Sequence, residues 1–179
     1  MDQLESYFEL QRLQVLEQTG LLTSAAPPEL QQICEHAKAR FHVAVAMVTL
    51  VSANHVHAKA RAGTDLQSLP RRGQFCDYTI RSSEVFVVSD ATQDPRFNRD
   101  LAAVDASFVR FYAGAPVVYF RQVRLGALCL LDPSPREFSQ ADRSELGRMA
   151  DEVASALVIQ EIDTKTVDLA SRHARWTRR

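Results

Sequence analysis

The chain has 179 residues, 46% of them hydrophobic and 24% charged, which is the mixture of an ordinary globular domain large enough for a full core. Its 21 basic and 22 acidic side chains give a formal charge of −1, so no overall field favours nucleic acid or an anionic membrane. The N-terminal stretch has acidic residues and no secretory apolar core, and the longest apolar run, 41–51, is short of the roughly 20 residues of a spanning helix, so a cytoplasmic chain without membrane insertion is expected.

Residues 2–18 are expected to form a helix with an apolar stripe of Leu4, Phe8, Leu10, Leu13 and Leu16, stopped at Gly20. Pro27 and Pro28 open a second helix, whose buried face is Leu30, Ile33, Cys34 and Ala37 and whose end is near Arg40. Phe41 to Val51 is a β-branched apolar run suited to a central strand. After the turn at 52–54, Val56, Ala58 and Ala60 alternate with His55, His57, Lys59 and Arg61, which predicts a hairpin partner with one polar face. Residues 63–74 read as loop, 75–81 as a short helix or turn, and 85–88 as a third strand. The long connection 91–110 carries the Asp94-Pro95 turn signal and a short helix expected over Asn98 to Val104; connections of this length are often functional.

Phe111 to Phe120 and Leu125 to Leu131 are two further apolar strands around a polar turn, with Asp132-Pro133 as the stop. Ser139 to Asp142 has the spacing of a helix-capping pair, and an amphipathic helix follows to about residue 170 through Leu146, Met149, Val153, Ala156 or Leu157, and Gln160. Hairpin-joined strands imply a mostly antiparallel sheet with the terminal helices on one face. Loops and short helices are left to the other face, where they enclose a pocket.

The pieces FCDYTI (75–80), VVSDATQDPRF (87–97), RFYAGAPV (110–117) and LGALCLLDPSPREFS (125–139), in this order before an amphipathic helix, resemble the GAF domain. In particular they resemble the bacterial GAF domains found beside histidine kinases and diguanylate cyclases. The resemblance implies an α+β, PAS-related fold with a five- to six-stranded sheet. It divides the chain into an N-terminal helix (1–20), the GAF domain (21–160) and a C-terminal helical extension with a basic tail (161–179). It also implies a cytoplasmic sensory module that binds an unidentified small molecule and signals through its terminal helices, as a homodimer, to a kinase or cyclase output domain. A GAF module that only dimerises, and a reductase of free methionine sulfoxide, are the alternatives. Neither a bilin-attaching Cys-His pair nor an NKFDE-like motif is present, so no cofactor is assigned.

By the same resemblance Phe75, Cys76, Tyr78, Asp90, Asp94, Arg96, Phe97 and Tyr112 face the pocket. Aromatics there would stack on a planar ligand, and Arg or Asp would pair with its polar edge. Equally, the two aspartates cap turns, Arg96 pairs with one of them, and the aromatics fill space. The three cysteines, Cys34, Cys76 and Cys129, are odd in number and lack CxxC spacing, so reduced thiols are expected, with Cys34 and Cys129 packed in the core. His55 and His57 lie on one strand face, as metal ligands do, but an exposed polar face explains them without a metal. The basic end, RHARWTRR, is expected to be solvated rather than bound to nucleic acid.

Overall fold

The computed structural model describes residues 3–97 and 109–176. In chain order the elements are α1 (Gln3–Thr19), α2 (Pro28–Phe41), β1 (Val45–Val51), β2 (His55–Ala62), β3 (Ser68–Pro70), α3 (Phe75–Thr79), β4 (Phe86–Val88), β5 (Phe111–Tyr119), β6 (Val123–Asp132) and α4 (Gln140–Trp176). The strands form one antiparallel sheet in the order β3-β2-β1-β6-β5-β4. The helix expected over Asn98 to Val104 lies outside the described residues.

Period-two alternation sends each central strand's side chains to two different cores. Ala46, Val48 and Leu50 of β1, Phe111, Ala113 and Ala115 of β5, and Leu128 and Leu130 of β6 face α2 and α4. Leu30, Cys34 and Ala37 of α2 meet them, as do Leu146, Met149, Val153 and Leu157 of α4. Val45, Met47, Tyr112 and Cys129 point to the opposite face, where they meet Phe75, Cys76 and Ile80 of α3 and its flank.

Two bulges adjust the pattern. The pairing of β1 with β2 passes from Val48–Ala60 to Thr49–Ala58, which leaves Lys59 as the extra residue. Its ammonium donates to the carbonyls of Leu21 and Ser24 in the α1–α2 connection. In β6 the extra residue is Leu125, which joins the helix-side core instead of the face its position would assign.

Several boundaries differ from the sequence expectations. Phe41 belongs to α2, not to β1. His42 closes α2 in the left-handed region at φ 50°, its N–H satisfied by the last-turn carbonyls, so a residue other than glycine performs the C-terminal stop. The strand Ser68–Pro70 falls in a stretch expected to be loop. The core-facing side of α1 is Arg12, Leu16 and Thr19, while Phe8 and Leu10 are exposed, which corrects the expected stripe. Arg12 is tolerated inside because its guanidinium donates to the Val51 carbonyl at 2.6 Å and to the Glu9 carboxylate at 2.7 Å. At α4 the expected cap forms: Ser139 Oγ accepts from the Asp142 N–H at 3.1 Å, and Asp142 accepts from the Ser139 N–H at 3.0 Å. Among the described residues no helix is long and apolar enough to cross a membrane.

Candidate functional site

A cavity of ≈ 370 Å³ lies between the sheet and α3. Its floor is built by the strand positions that alternate away from the long helices: Val45, Met47 and Thr49 of β1, Cys129 and Leu131 of β6, and Tyr112 of β5. Val56 and Ala58 of β2 and Leu66 and Leu69 beside and within β3 close one side, and Gln74, Phe75 and Cys76 close another. The lining is mostly aliphatic and aromatic. Asp65 is its one ionisable carboxylate, and no Lys, Arg or His belongs to it among the described residues.

Three of the eight sequence-predicted site residues, Phe75, Cys76 and Tyr112, come together on this wall. Phe75 stacks on Tyr112 with ring centroids 4.8 Å apart and planes at 16°. Behind Phe75, away from the cavity lining, lie Phe97 at 4.4 Å and, edge-on to Phe97 at 4.9 Å, Tyr78. The other three form local ion pairs. Asp94 accepts from the N–H of Arg96 at 3.0 Å and from its Nε at 2.9 Å, and the Arg96 guanidinium lies over the Phe86 ring at 4.8 Å. Asp90 pairs with Arg110 and caps the turn at Thr92; the Arg110 and Thr92 bonds hold its carboxyl at about 2.

The polar part of the wall is a buried chain. The Tyr112 hydroxyl bonds Thr79 Oγ1 at 2.7 Å, and the Thr79 hydroxyl in turn donates to the Phe75 carbonyl at 3.2 Å. Tyr112 also contacts Cys76 Sγ at 3.6 Å, and Thr49 Oγ1 contacts the same sulfur at 3.4 Å. Burial pushes the Tyr112 phenol well above its ordinary range, so it stays protonated as a donor. Hydrogen bonding from Cys129, with help from Thr49 and Tyr112, outweighs burial and holds the Cys76 thiol at about 7. Cys129 is pushed far up by the same partnership and by its own burial. Cys34, by contrast, is buried on the helix side, and its thiol is pushed up to about 12.

Sequence reasoning missed most of the apolar lining, because a cavity-floor valine or methionine on a buried strand looks like any other core residue. Cys129 is packed in the core as expected, on the face of the sheet that also borders the cavity. His57 bonds Ser52 Oγ at 3.0 Å, and the described residues contain no cluster of three or more metal-ligating side chains.

α3 is also the point at which the cavity wall meets the N-terminal helix. Asp77, next to Cys76, accepts from Arg71 Nε at 2.6 Å. The same guanidinium donates to Glu9 of α1 and, at 3.1 Å, to the Ser52 carbonyl. Burial raises the Glu9 carboxyl, but the hydrogen bonds from Arg12 and Arg71 prevail and hold it at about 2.

The family profile described as GAF domain matches residues 26–157. A cyclic di-GMP phosphodiesterase of Pseudomonas aeruginosa is 35% identical over 128 residues, which is 72% of this chain and 22% of that protein, so the chain spans less than a quarter of this relative. Among solved structures, the GAF domain of an Acinetobacter phosphoenolpyruvate-protein phosphotransferase superposes with a TM-score of 0.64 at 17% identity, over 92% of this chain and 99% of the other. A free methionine-R-sulfoxide reductase from Neisseria meningitidis, in complex with its substrate, superposes with a TM-score of 0.61 at 17% identity, over 83% and 89% of the two chains.

Proposed function

The chain belongs to the GAF domain family, and from that premise we propose that it is a sensory module whose cavity takes a small, uncharged, mostly apolar molecule and whose helix α1 carries the response. The observation behind this reading is the double role of α3. It supplies Phe75 and Cys76 to the cavity wall, and through Asp77 and Arg71 it is tied to Glu9 of α1. A molecule that displaces α3 therefore displaces Arg71, and with it the anchor of α1.

The lining supports one ligand class. A volume of ≈ 370 Å³ is at the small end of the ~300–1,000 Å³ typical of ligand sites. A phosphorylated ligand or a free amino acid brings an anionic group that needs an Arg or Lys partner, and the described lining has none. This favours a neutral molecule over a cyclic dinucleotide, although one relative is named for cyclic di-GMP. The likeness to that relative supports an output onto a neighbouring signalling domain, of which a kinase or cyclase is the expected type.

Native mass spectrometry of protein purified without denaturation tests the reading. An adduct of low mass is expected on the parent and is expected to be missing from Ala58→Phe, which fills the cavity from β2. A parent chain that carries nothing, and whose unfolding temperature no neutral apolar compound shifts, would sink it.

A second reading, a module that works by pairing with another copy, draws on the helices themselves. Tyr7, Phe8 and Leu10 of α1 and Ile159, Ile162, Val167 and Leu169 of α4 are exposed large apolar side chains.

A further inference from the structure

Cys76 and Cys129 are distant in sequence, but the sheet order brings them face to face. β6 runs between β1 and β5. Cys76 Sγ is flanked by Thr49 Oγ1 of β1 at 3.4 Å and by the Tyr112 hydroxyl of β5 at 3.6 Å, so it stands over β6. Cys129 occupies that part of β6, paired with Met47 on one side and Gly114 on the other. Both residues border the ≈ 370 Å³ cavity, Cys76 almost and Cys129 fully buried in its wall.

We propose that Cys76 and Cys129 form a peroxide-reactive dithiol, which a small hydroperoxide entering the cavity converts into a reversible disulfide between α3 and β6. Nothing in this reading depends on the neutral ligand proposed above. The Cys76 sulfur, as thiolate, attacks the nearer peroxide oxygen. The O–O bond breaks, the departing oxygen leaves as water or alcohol after taking a proton, and Cys76 becomes a sulfenic acid. The Cys129 sulfur then attacks the Cys76 sulfur. The S–S bond forms as the S–O bond breaks, and the hydroxyl leaves as water with the Cys129 proton. Two electrons pass from the thiol pair to one peroxide, and a low-molecular-weight thiol reverses the change by disulfide exchange.

The environment divides the roles. Cys76, with two hydroxyls directed at its sulfur and a thiol held at about 7, is the attacking sulfur. Cys129, whose thiol stays protonated, is the resolving one. Cys34, on the other side of the sheet with its thiol pushed up to about 12, is a built-in control. A disulfide here would pin the short helix α3 to the central strand, so oxidation also sets the width of the cavity.

Hydrogen peroxide added to the folded full chain, followed by acid denaturation, alkylation and peptide mapping, tests this directly. Expected are the loss of two of the three free thiols, one cross-linked peptide joining Cys76 to Cys129, an alkylated Cys34, and recovery of all three thiols with dithiothreitol. In Cys129→Ala the reaction is expected to stop at a Cys76 sulfenic acid that dimedone traps. The proposal is overturned if the parent keeps all its thiols, if Cys34 is oxidised as fast as Cys76, or if Cys76 proceeds to sulfinic acid without cross-linking. The parent measurement stands whether or not the variant folds.

Discussion

At the scale of single residues, Gly114 shows how much of the site depends on a missing side chain. A Cβ at this position would lie 2.3 Å from the Tyr112 hydroxyl and 2.7 Å from Thr79 Oγ1. The empty space beside Gly114 is what lets the phenol lie along β5 and close its hydrogen bond to Thr79. Gly114→Ala is therefore expected to destabilise the chain by about 1–3 kcal/mol through overpacking, measured by urea unfolding, and to loosen the Phe75–Tyr112 stack, visible in near-ultraviolet circular dichroism. An unchanged midpoint would mean that the Tyr112 ring moves aside at no cost. The residues of the site were legible to different degrees for a related reason. Phe75, Cys76 and Tyr112 could be placed through the family resemblance. The partner of Cys76 could not, because pairing across a sheet depends on strand order, which the spacing of cysteines along the chain does not encode. Asp90, Asp94 and Arg96 look in sequence as much like ligand contacts as like the turn-capping ion pairs they make, since the same donors and acceptors serve both.

At the scale of elements, the strands that the sequence made plain are those with long apolar runs: β1, β5 and β6. β3 was not, because a three-residue edge strand ending in proline has too few alternations to show a period. The facing of α1 was obscured for another reason: an arginine is the residue turned inward, and apolar periodicity alone gives no sign of a guanidinium satisfied by a strand-end carbonyl. The attachment of α1 carries a prediction about pH. Glu9 has its carboxyl at about 2 in the folded chain against 4.5 ordinarily. A depressed carboxyl stabilises the fold fully above 4.5 and loses that contribution as the pH falls from 4.5 towards 2. Glu9→Gln is accordingly expected to be less stable than the parent at neutral pH by about 1–3 kcal/mol, the worth of hydrogen bonds to a charged group. That gap should close as the pH falls through the same window. A gap that persists undiminished in acid would show that the loss comes from packing, not from the charge.

At the scale of the whole molecule, the sheet keeps its two faces for different purposes. The α2–α4 face is filled by interdigitated side chains, and the α3 face holds the cavity. In the second half of α4, Ile159, Ile162, Val167 and Leu169 are exposed. If these pair with a second copy, sedimentation should show a concentration-dependent dimer, and Ile162→Glu with Leu169→Glu should raise its Kd at least about 100-fold, because each buried aliphatic side chain is worth about 1.5–3 kcal/mol. A parent chain that sediments as a monomer at every concentration would remove this interface.

The contact made by Gln160 has a mechanical side. Its amide bonds Ser24 Oγ at 3.0 Å and the Ala25 carbonyl, and Ser24 is also held by the bulged Lys59. The α1–α2 connection, an inner strand and α4 thus meet at one pivot. From there α4 continues to Trp176, an arm of about 24 Å at the usual helical rise. Tilting the base by about 5° would sweep the tip through roughly 2 Å, enough to move an attached helix from one side-chain register towards the next. Under the sensory reading proposed above, a small tilt at this pivot would be enlarged at the far end of α4.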